Sequence, residues 1–284
     1  MNNFREIKTT LDAKPTLEGA GVKLNRVFGF NEVPGLDPFL LLDDFGSDDP
    51  QDYIAGFPWH PHRGIETVTY LLHGAVEHGD SIGNSGIINS GDVQWMTAGS
   101  GIIHQEMPKK VSGTMRGFQL WVNLPASHKM IHPRYQEIGT DQIPEVVVDE
   151  HVSVKIIAGQ MHGKKGPVRD LTVGTEFFDV TMAPNSSFEI AVSEGRTSFA
   201  YIVSGDGHFQ PESDRVLRQG QLVLYDDGAM ISVRTAEHPV RFLLLSGAPL
   251  REPVAWLGPI VMNSQEELNV AFQELQAGTF IKNR

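Results

Sequence analysis

Apolar and polar residues alternate in short runs along most of the chain, and glycine or proline separates one run from the next. A period of two residues places alternate side chains on one face of a β-strand. In residues 115–124 one face is apolar, whereas Gln119, Trp121 and Asn123 share the other. That second face is either a satisfied interior surface or the wall of a pocket. Similar strand-like runs, which together predict an all-β fold, occupy residues 22–24, 27–30, 39–42, 67–72, 93–96, 152–159 and 177–182.

The strand pattern occurs twice. A strand that ends at Gly74 resembles one that ends at Gly205, 131 residues later, and a strand that begins at Gly91 resembles one that begins at Gly220, 129 residues later. The nearly constant offset predicts an internal duplication. We therefore expect two β-barrel domains.

A stretch without strand periodicity, residues 125–145, lies between the two copies and contains several prolines. We expect an N-terminal domain at residues 1–134, a linker at 135–145 and a C-terminal domain at 146–284.

The last part of the chain has a helical pattern. Ser264 followed by Glu267 is a capping box, and Gly278 is a helix stop signal. We expect a short helix that packs on the C-terminal barrel, with an apolar stripe at Leu268, Ala271, Phe272 and Leu275. Recruitment of a partner protein is the alternative role for such a helix.

Near the start of the chain, Asp43 and Asp44 follow a buried strand, and we interpret them as solvated or capping carboxylates.

Composition narrows the classes of function. The chain has 284 residues and a mass of 31.3 kDa, enough for two cores, and its net charge is −12. Such acidity argues against direct nucleic-acid binding, which needs a basic surface, but leaves docking onto a DNA-binding protein open. There is no cysteine, so any metal is held by nitrogen and oxygen ligands. Neither a signal peptide nor a membrane-spanning run is evident, so we expect a soluble, cytoplasmic monomer.

Two pairs of metal-binding side chains stand out. His60 and His62 are separated by one residue, as are His104 and Glu106. In extended chain each pair points to one face, and the strands and glycine turns between the pairs allow both to converge. Three imidazoles and one carboxylate around a single ion is the hypothesis that these pairs support.

The other histidines carry weaker signals. His208 and His238 are isolated histidines in a copy where nothing corresponds to His60-Pro61-His62 or to His104-Gln105-Glu106, and we interpret them as structural. His128 and His132 stand four apart, but Pro133 argues against the helix that would align them, so we place both on the surface. The C-terminal domain is therefore expected to bind no metal.

These motifs resemble those of the pirin family, whose members are bicupins. The matching stretches are residues 37–45, 60–70, 91–99, 101–108, 120–124, 249–254 and 261–263. The resemblance implies two cupin domains, jelly-roll-like β-barrels, with one mononuclear iron in the N-terminal domain held by His60, His62, His104 and Glu106. In the general cupin pattern the glutamate follows the His-x-His pair, and Glu66 lies roughly there. Glu66 either supports the ligands or is an ordinary inward polar residue.

The resemblance also implies two classes of function. Some pirins resemble quercetin 2,3-dioxygenases, which open a flavonol with O₂, and others resemble non-enzymatic regulators that bind a transcription factor or a metabolic enzyme. We favour the dioxygenase, with Fe(II), a flavonol-like aromatic substrate and Glu106 as catalytic base. Mn, Co, Ni, Cu or Zn could replace iron at such a site. A zinc-dependent cupin isomerase is a third interpretation.

Overall fold

A computed structural model describes residues 3–32, 35–111 and 113–282. Short 3₁₀ helices lie at Pro50–Asp52, Ala126–His128 and Thr140–Gln142. The strands and the helix, in chain order, are β1 (Ile7–Asp12), β2 (Lys14–Glu18), β3 (Val22–Phe28), β4 (Phe39–Ser47), β5 (Phe57–His62), β6 (Ile65–His73), β7 (Ala75–Asp80), β8 (Ser85–Asn89), β9 (Val93–Thr97), β10 (Ile102–Pro108), β11 (Met115–Asn123), β12 (Arg134–Ile138), β13 (Glu145–Val147), β14 (Val152–Ala158), β15 (Gln160–Met161), β16 (Lys164–Lys165), β17 (Glu176–Met182), β18 (Ser187–Ala191), β19 (Thr197–Gly207), β20 (Leu217–Arg218), β21 (Gln221–Tyr225), β22 (Met230–Arg234), β23 (Val240–Gly247), β24 (Ala255–Leu257), β25 (Ile260–Met262) and α1 (Gln265–Gln276).

Two compact units divide the chain, each built from two separate segments. The first unit contains Lys14–Thr140 and Leu250–Arg284, and the second contains Met1–Ala13 and Asp141–Pro249. These boundaries differ from those expected from the sequence. The reason is strand pairing: β1 pairs with β21 in the second unit, and β12, expected to lie mostly in a linker, pairs with β9 in the first.

The first unit has two main antiparallel sheets. One has the order β12-β9-β6-β11-β4-β3-β2, and the other has the order β5-β10-β7-β8. Buried side chains from both sheets pack into one cluster, with Leu24, Phe45 and Leu71 from the larger sheet and Val76 and Ile88 from the smaller. The core of this unit therefore lies between its two sheets.

The second unit repeats the strand order of the first. Its main sheet runs β1-β21-β19-β23-β17-β14-β13. The strands β9, β6, β11, β4, β3 and β2 of the first unit correspond in position to β21, β19, β23, β17, β14 and β13 of the second. At the outer edge, β12 of the first unit and β1 of the second occupy the equivalent position. The predicted duplication is thus visible in the topology.

The helix α1 has the predicted boundaries but belongs to the first unit. Ser264 accepts from the backbone N–H of Glu267, whose side chain accepts from Ser264 in return, and Gly278 adopts a positive φ of 70° just past the end. Its apolar side packs on β25 beside Phe280 rather than on the C-terminal barrel, because the segment after residue 250 folds onto the first unit. The buried Arg63 anchors this segment through a 2.8 Å ion pair with Glu274. None of the described residues lies in a helix long and apolar enough to cross a membrane.

Asp43 and Asp44 are not the solvated or capping carboxylates expected from the sequence. Both lie within β4 and are buried. Arg26 from β3 forms a bidentate ion pair with Asp43 at 2.9 and 2.8 Å, and Arg116 from β11 pairs with Asp44 at 3.2 Å. The carboxylates tolerate burial because cations on the two neighbouring strands pair with them.

Candidate metal centre

The antiparallel pair β5–β10 brings together the two motifs predicted to bind a metal. His104 lies directly opposite His60, and Ile102 lies opposite His62. The register shifts between His104 and Glu106, so that Glu106 lies opposite Phe57. Because residues two apart share a strand face, the three histidines converge on one side of this strand pair.

The three imidazoles form a compact group. Their candidate ligand nitrogens all lie within 4.8 Å of one another. Ring centroids are 4.8 Å apart for His60 and His62, 4.4 Å for His60 and His104, and 5.0 Å for His62 and His104. The predicted convergence of the histidine motifs is therefore observed.

Hydrogen bonds indicate which nitrogens face inward. Nδ1 of His60 lies 2.9 Å from the Pro58 carbonyl, and Nδ1 of His62 lies 3.2 Å from the Pro259 carbonyl. A carbonyl only accepts, so each Nδ1 carries the hydrogen and each neutral ring has a bare Nε2. These two Nε2 atoms are only 3.0 Å apart. Two lone pairs facing at this distance repel each other unless a cation lies beside both, so the arrangement fits a metal.

His104 adds a second reason. It is 1 % exposed, and neither of its ring nitrogens has a hydrogen-bond partner among the described residues. A buried polar group without a partner is costly, and a metal ion would satisfy one nitrogen directly. Nitrogen donors of this type suit a divalent transition metal.

Burial also sets the protonation of the site. It lowers the pKa of both His62 and His104 well below the ordinary value, and the neighbouring imidazoles lower it further. Both rings are therefore neutral near pH 7, and a metal ligand must be neutral imidazole. The protein holds these two donors in the form that a metal requires.

Glu106 lies beside the histidines but outside the compact group of nitrogens. Its carboxylate is buried and accepts two hydrogen bonds, from Thr69 Oγ1 at 2.8 Å and from Gln119 Nε2 at 3.0 Å. Sequence reasoning placed Gln119 on a candidate pocket wall but did not connect it, or Thr69, with Glu106. The sequence gives only a weak signal for these hydrogen bonds to Glu106, because they depend on β6 and β11 being neighbours in the sheet.

Glu66 is not part of the histidine cluster. It is buried and accepts a 2.7 Å hydrogen bond from the hydroxyl of Thr97. Burial raises the pKa of its carboxyl group. Of the two interpretations made from the sequence, that of an inward-facing polar residue describes its surroundings better.

A cavity of about 770 Å³ opens beside the histidines. His60, His62, Thr69, Glu106 and Gln119 contribute to its wall. Much of the remaining wall is aromatic or aliphatic and includes Leu24, Leu41, Phe45, Phe57, Trp121 and Trp256.

Trp121 connects the cavity wall with the imidazoles. Its ring stands edge-on to His62 at 5.1 Å and lies 5.9 Å from Trp256. Gln119 and Trp121 are thus pocket wall, whereas Asn123, on the same strand face, bonds to the buried Lys129. Each of the two interpretations of this face applies to part of it.

In the second unit, the strand pair β18–β22 is the counterpart of the pair β5–β10 in the first unit, because it occupies the same place in the order of strands along the chain. Buried apolar side chains occupy it, among them Phe188, Ile231 and Val233. His238 is exposed and lies 3.1 Å from Asp206, and His208 is partly buried. That this unit binds no metal remains a prediction. His128 and His132 are exposed, as expected.

Comparison with known proteins agrees with this architecture. Residues 21–122 match the family described as Pirin, and residues 177–281 match the Pirin C-terminal cupin domain. A pirin-like protein of Caulobacter vibrioides is 43 % identical over 97 % of this chain and 99 % of its own length. A protein of Pseudomonas aeruginosa, provisionally named a quercetin 2,3-dioxygenase, is 38 % identical over 98 % of this chain and 99 % of its own.

A solved structure supports the same assignment. The crystal structure of a quercetin 2,3-dioxygenase from Acinetobacter baumannii superposes with a TM-score of 0.90, at 32 % identity and 98 % coverage of both chains. The predicted all-β architecture of two cupin domains with a C-terminal helix is confirmed. From the two family matches and the near-complete alignment with these relatives, the chain belongs to the pirin family.

Proposed function

We propose that this protein is an iron-dependent dioxygenase of the quercetin 2,3-dioxygenase type, which cleaves a flavonol with O₂. The observation that carries the proposal is the cavity of about 770 Å³ whose wall includes His60 and His62 of the histidine cluster together with Glu106. Cavities of this size that combine apolar walls with a few polar groups are typical of small-molecule sites. Two proteins similar to this chain carry the name of that activity.

We assign the metal to His60, His62, His104 and Glu106. Three imidazoles and one carboxylate suit Fe(II), and Mn, Co, Ni, Cu or Zn could occupy the same donors. Bound there, the ion supplies redox chemistry with O₂ and Lewis acidity.

We also assign Glu106 as the base that accepts the hydroxyl proton of a flavonol. Its two oxygens are held by Thr69 and Gln119, so the carboxylate cannot rotate freely in the buried site. A base fixed in this way costs little reorganisation when the proton moves. Thr69 and Gln119 are therefore positioning residues for Glu106.

The apolar walls supply the remaining requirement. Trp121 and Trp256 offer ring surfaces to a planar aromatic substrate, and Leu41 and Phe45 on β4 add apolar surface to the same cavity. A substrate packed against these side chains displaces water from the space next to the histidines. Exclusion of water strengthens the electrostatic interactions of Glu106.

The test is O₂ uptake by iron-loaded protein with quercetin, together with detection of carbon monoxide. Cleavage releases one CO for each O₂ consumed, so the two amounts should match. Glu106→Gln should lower turnover more than it lowers metal content, and Glu66→Gln should leave turnover near that of the wild type. Catalysis no faster than free iron, combined with redox-dependent binding of a transcription factor or metabolic enzyme, would favour the regulatory alternative.

A further inference from the structure

A row of polar side chains crosses the wall of the cavity. Arg26 on β3 lies opposite Asp43 on β4, Asp43 lies opposite Gln119 on β11, and Gln119 lies opposite Thr69 on β6. Directly opposed residues of an antiparallel sheet point to the same face, and all four line the cavity. Neighbouring strands are about 4.8 Å apart, so the row extends roughly 14 Å from Thr69 to Arg26.

The two ends of this row have different surroundings. Thr69 and Gln119 bond to Glu106, beside the histidine cluster. Asp43 and Arg26 lie one and two strands farther on, and Arg26 also bonds to Glu18 at 2.8 Å. The cavity therefore has a second polar end, formed by Glu18, Arg26 and Asp43.

This second end retains unused hydrogen-bonding capacity. Arg26 has five N–H groups, and three of them bond to carboxylates, through Nε and Nη2 to Asp43 and through Nη1 to Glu18. Asp43 uses one lone pair on each oxygen for Arg26, and each oxygen can accept one more hydrogen bond. Such groups can receive hydroxyls from a ligand.

Charge indicates which ligand groups suit this end. One guanidinium is set against two carboxylates, which leaves one negative charge on the trio. A ligand carboxylate, sulfate or phosphate would be repelled there, whereas a neutral hydroxyl can donate to Asp43 and accept from Arg26. The chemistry thus favours a phenol-type group over an acid.

Apolar side chains lie on both sides of the polar row. Leu41 and Phe45 stand two residues before and after Asp43, and Trp121 stands two after Gln119, so all point into the cavity. The result is a polar line between apolar walls, which matches a flat aromatic ligand with hydroxyls along its edge.

We propose that Glu18, Arg26 and Asp43 form a specificity subsite that selects neutral polyphenols carrying hydroxyl groups on the ring farther from the histidines. This inference rests on the proposed function for the ligand class. It adds which members of that ligand class the protein prefers, and which residues determine this preference.

The test compares two flavonols by anaerobic isothermal titration calorimetry of the iron-loaded protein. 3-Hydroxyflavone has only the hydroxyl and carbonyl of the reactive ring, whereas quercetin adds hydroxyls to both outer rings. The wild type should bind quercetin about tenfold more tightly, the gain expected from one or two hydrogen bonds to charged groups. Asp43→Asn and Glu18→Gln should each reduce this ratio at least about threefold.

The second unit offers a matched control. Arg241 pairs with Asp179 in the same bidentate way, at 2.9 and 2.6 Å, and Asp179 is as buried as Asp43 but does not line the cavity. Asp179→Asn should leave the ratio unchanged. Glu18 is 41 % exposed, so Glu18→Gln tests the subsite even if Asp43→Asn fails to fold.

Equal affinities for the two flavonols in the wild type would overturn the subsite, as would a ratio that neither variant changes. O₂ uptake separates this outcome from failure of the proposed function. Turnover of both flavonols without discrimination would remove the subsite and keep the dioxygenase. Discrimination that depends on Asp43 and Glu18 without turnover would keep the subsite and remove the dioxygenase.

Discussion

Gln119 donates from its side-chain Nε2 to Oε2 of Glu106 over 3.0 Å. Thr69 donates to the other oxygen, so both carboxylate oxygens are fixed by neighbours on strands β6 and β11. A buried carboxylate held in this way cannot turn to another partner. The orientation of Glu106, and with it any role as ligand or base, therefore depends on Gln119.

Gln119→Met removes this bond while it nearly conserves side-chain volume. Loss of such a supporting hydrogen bond typically costs about 10- to 100-fold in metal affinity or activity, and we expect a loss in this range. Metal titration and steady-state kinetics measure it. Gln105 is a matched control, since it lies on β10 next to Glu106 but faces away from it, and Gln105→Met should change neither quantity. Equal effects of the two substitutions would refute the positioning role.

A Glu→Gln substitution can distinguish the roles of the two buried glutamates, Glu106 and Glu66. Glu106→Gln should reduce metal content, because an amide is a weaker ligand than a carboxylate. Glu66→Gln should retain metal, since Glu66 bonds to Thr97 and lies outside the cluster. Burial raises the pKa of Glu66, so a neutral amide there should cost little stability. Metal analysis and urea unfolding of both variants provide the data, and loss of metal in Glu66→Gln alone would exchange their roles.

Lys129 is a buried lysine, whose pKa burial lowers to about 7, and it joins three parts of the first unit. Its Nζ donates to the Gly64 carbonyl at 2.9 Å, to Asn123 Oδ1 at 2.7 Å and to the Val261 carbonyl at 3.1 Å. Lys129→Met would remove one hydrogen bond from each of these acceptors, although the Gly64 carbonyl keeps a longer one from the Leu124 N–H at 3.4 Å. We expect the free energy of unfolding to fall by about 3 kcal/mol or more. Lys110 is exposed, and Lys110→Met should change the free energy of unfolding by no more than about 0.5 kcal/mol. Urea titration decides, and similar values for both variants would contradict the assignment.

The stability of the metal-free protein should depend on pH through the buried histidines. Burial depresses the folded-state pKa of His62 and His104, whereas an unfolded histidine titrates near pH 6.5. The unfolded chain therefore binds more protons than the folded chain as the pH falls past about 6.5, and the equilibrium shifts toward unfolding. Stability should be full above that pH and decline below it. Urea midpoints measured between pH 7.5 and 5.5 test this.

A variant identifies the groups responsible. His104→Leu removes one of the two depressed histidines, so its stability should fall less steeply with decreasing pH than that of the wild type. An unchanged slope would mean that other groups cause the pH dependence.

Local patterns in the sequence were sufficient for the histidine cluster. His60 and His62 needed only the two-residue period of a strand, and His104 needed only an antiparallel partner. The capping box of α1 is similarly local, and its boundaries agree with the prediction. Within each motif these features depend on residues close together in the chain.

Features that depend on distant neighbours could not be predicted in the same way. Asp43 and Asp44 look like turn residues until Arg26 and Arg116 are known to lie on the adjacent strands. The placement of α1 in the first unit depends on contacts such as that of Arg63 with Glu274, 211 positions later in the sequence. Contacts between residues distant in the sequence, which no local pattern specifies, determine both.

Metal content measures the central claim most directly. The experiment compares the wild-type protein with His62→Ala and His208→Ala, each loaded anaerobically with Fe(II) and then freed of excess metal. Elemental mass spectrometry measures the iron content, and circular dichroism confirms that each variant is folded. Three converging imidazoles and one carboxylate predict roughly one ion per chain in the wild type and in His208→Ala, and little in a folded His62→Ala. Full occupancy in His62→Ala, or two ions per wild-type chain, would contradict a single site at the histidine cluster.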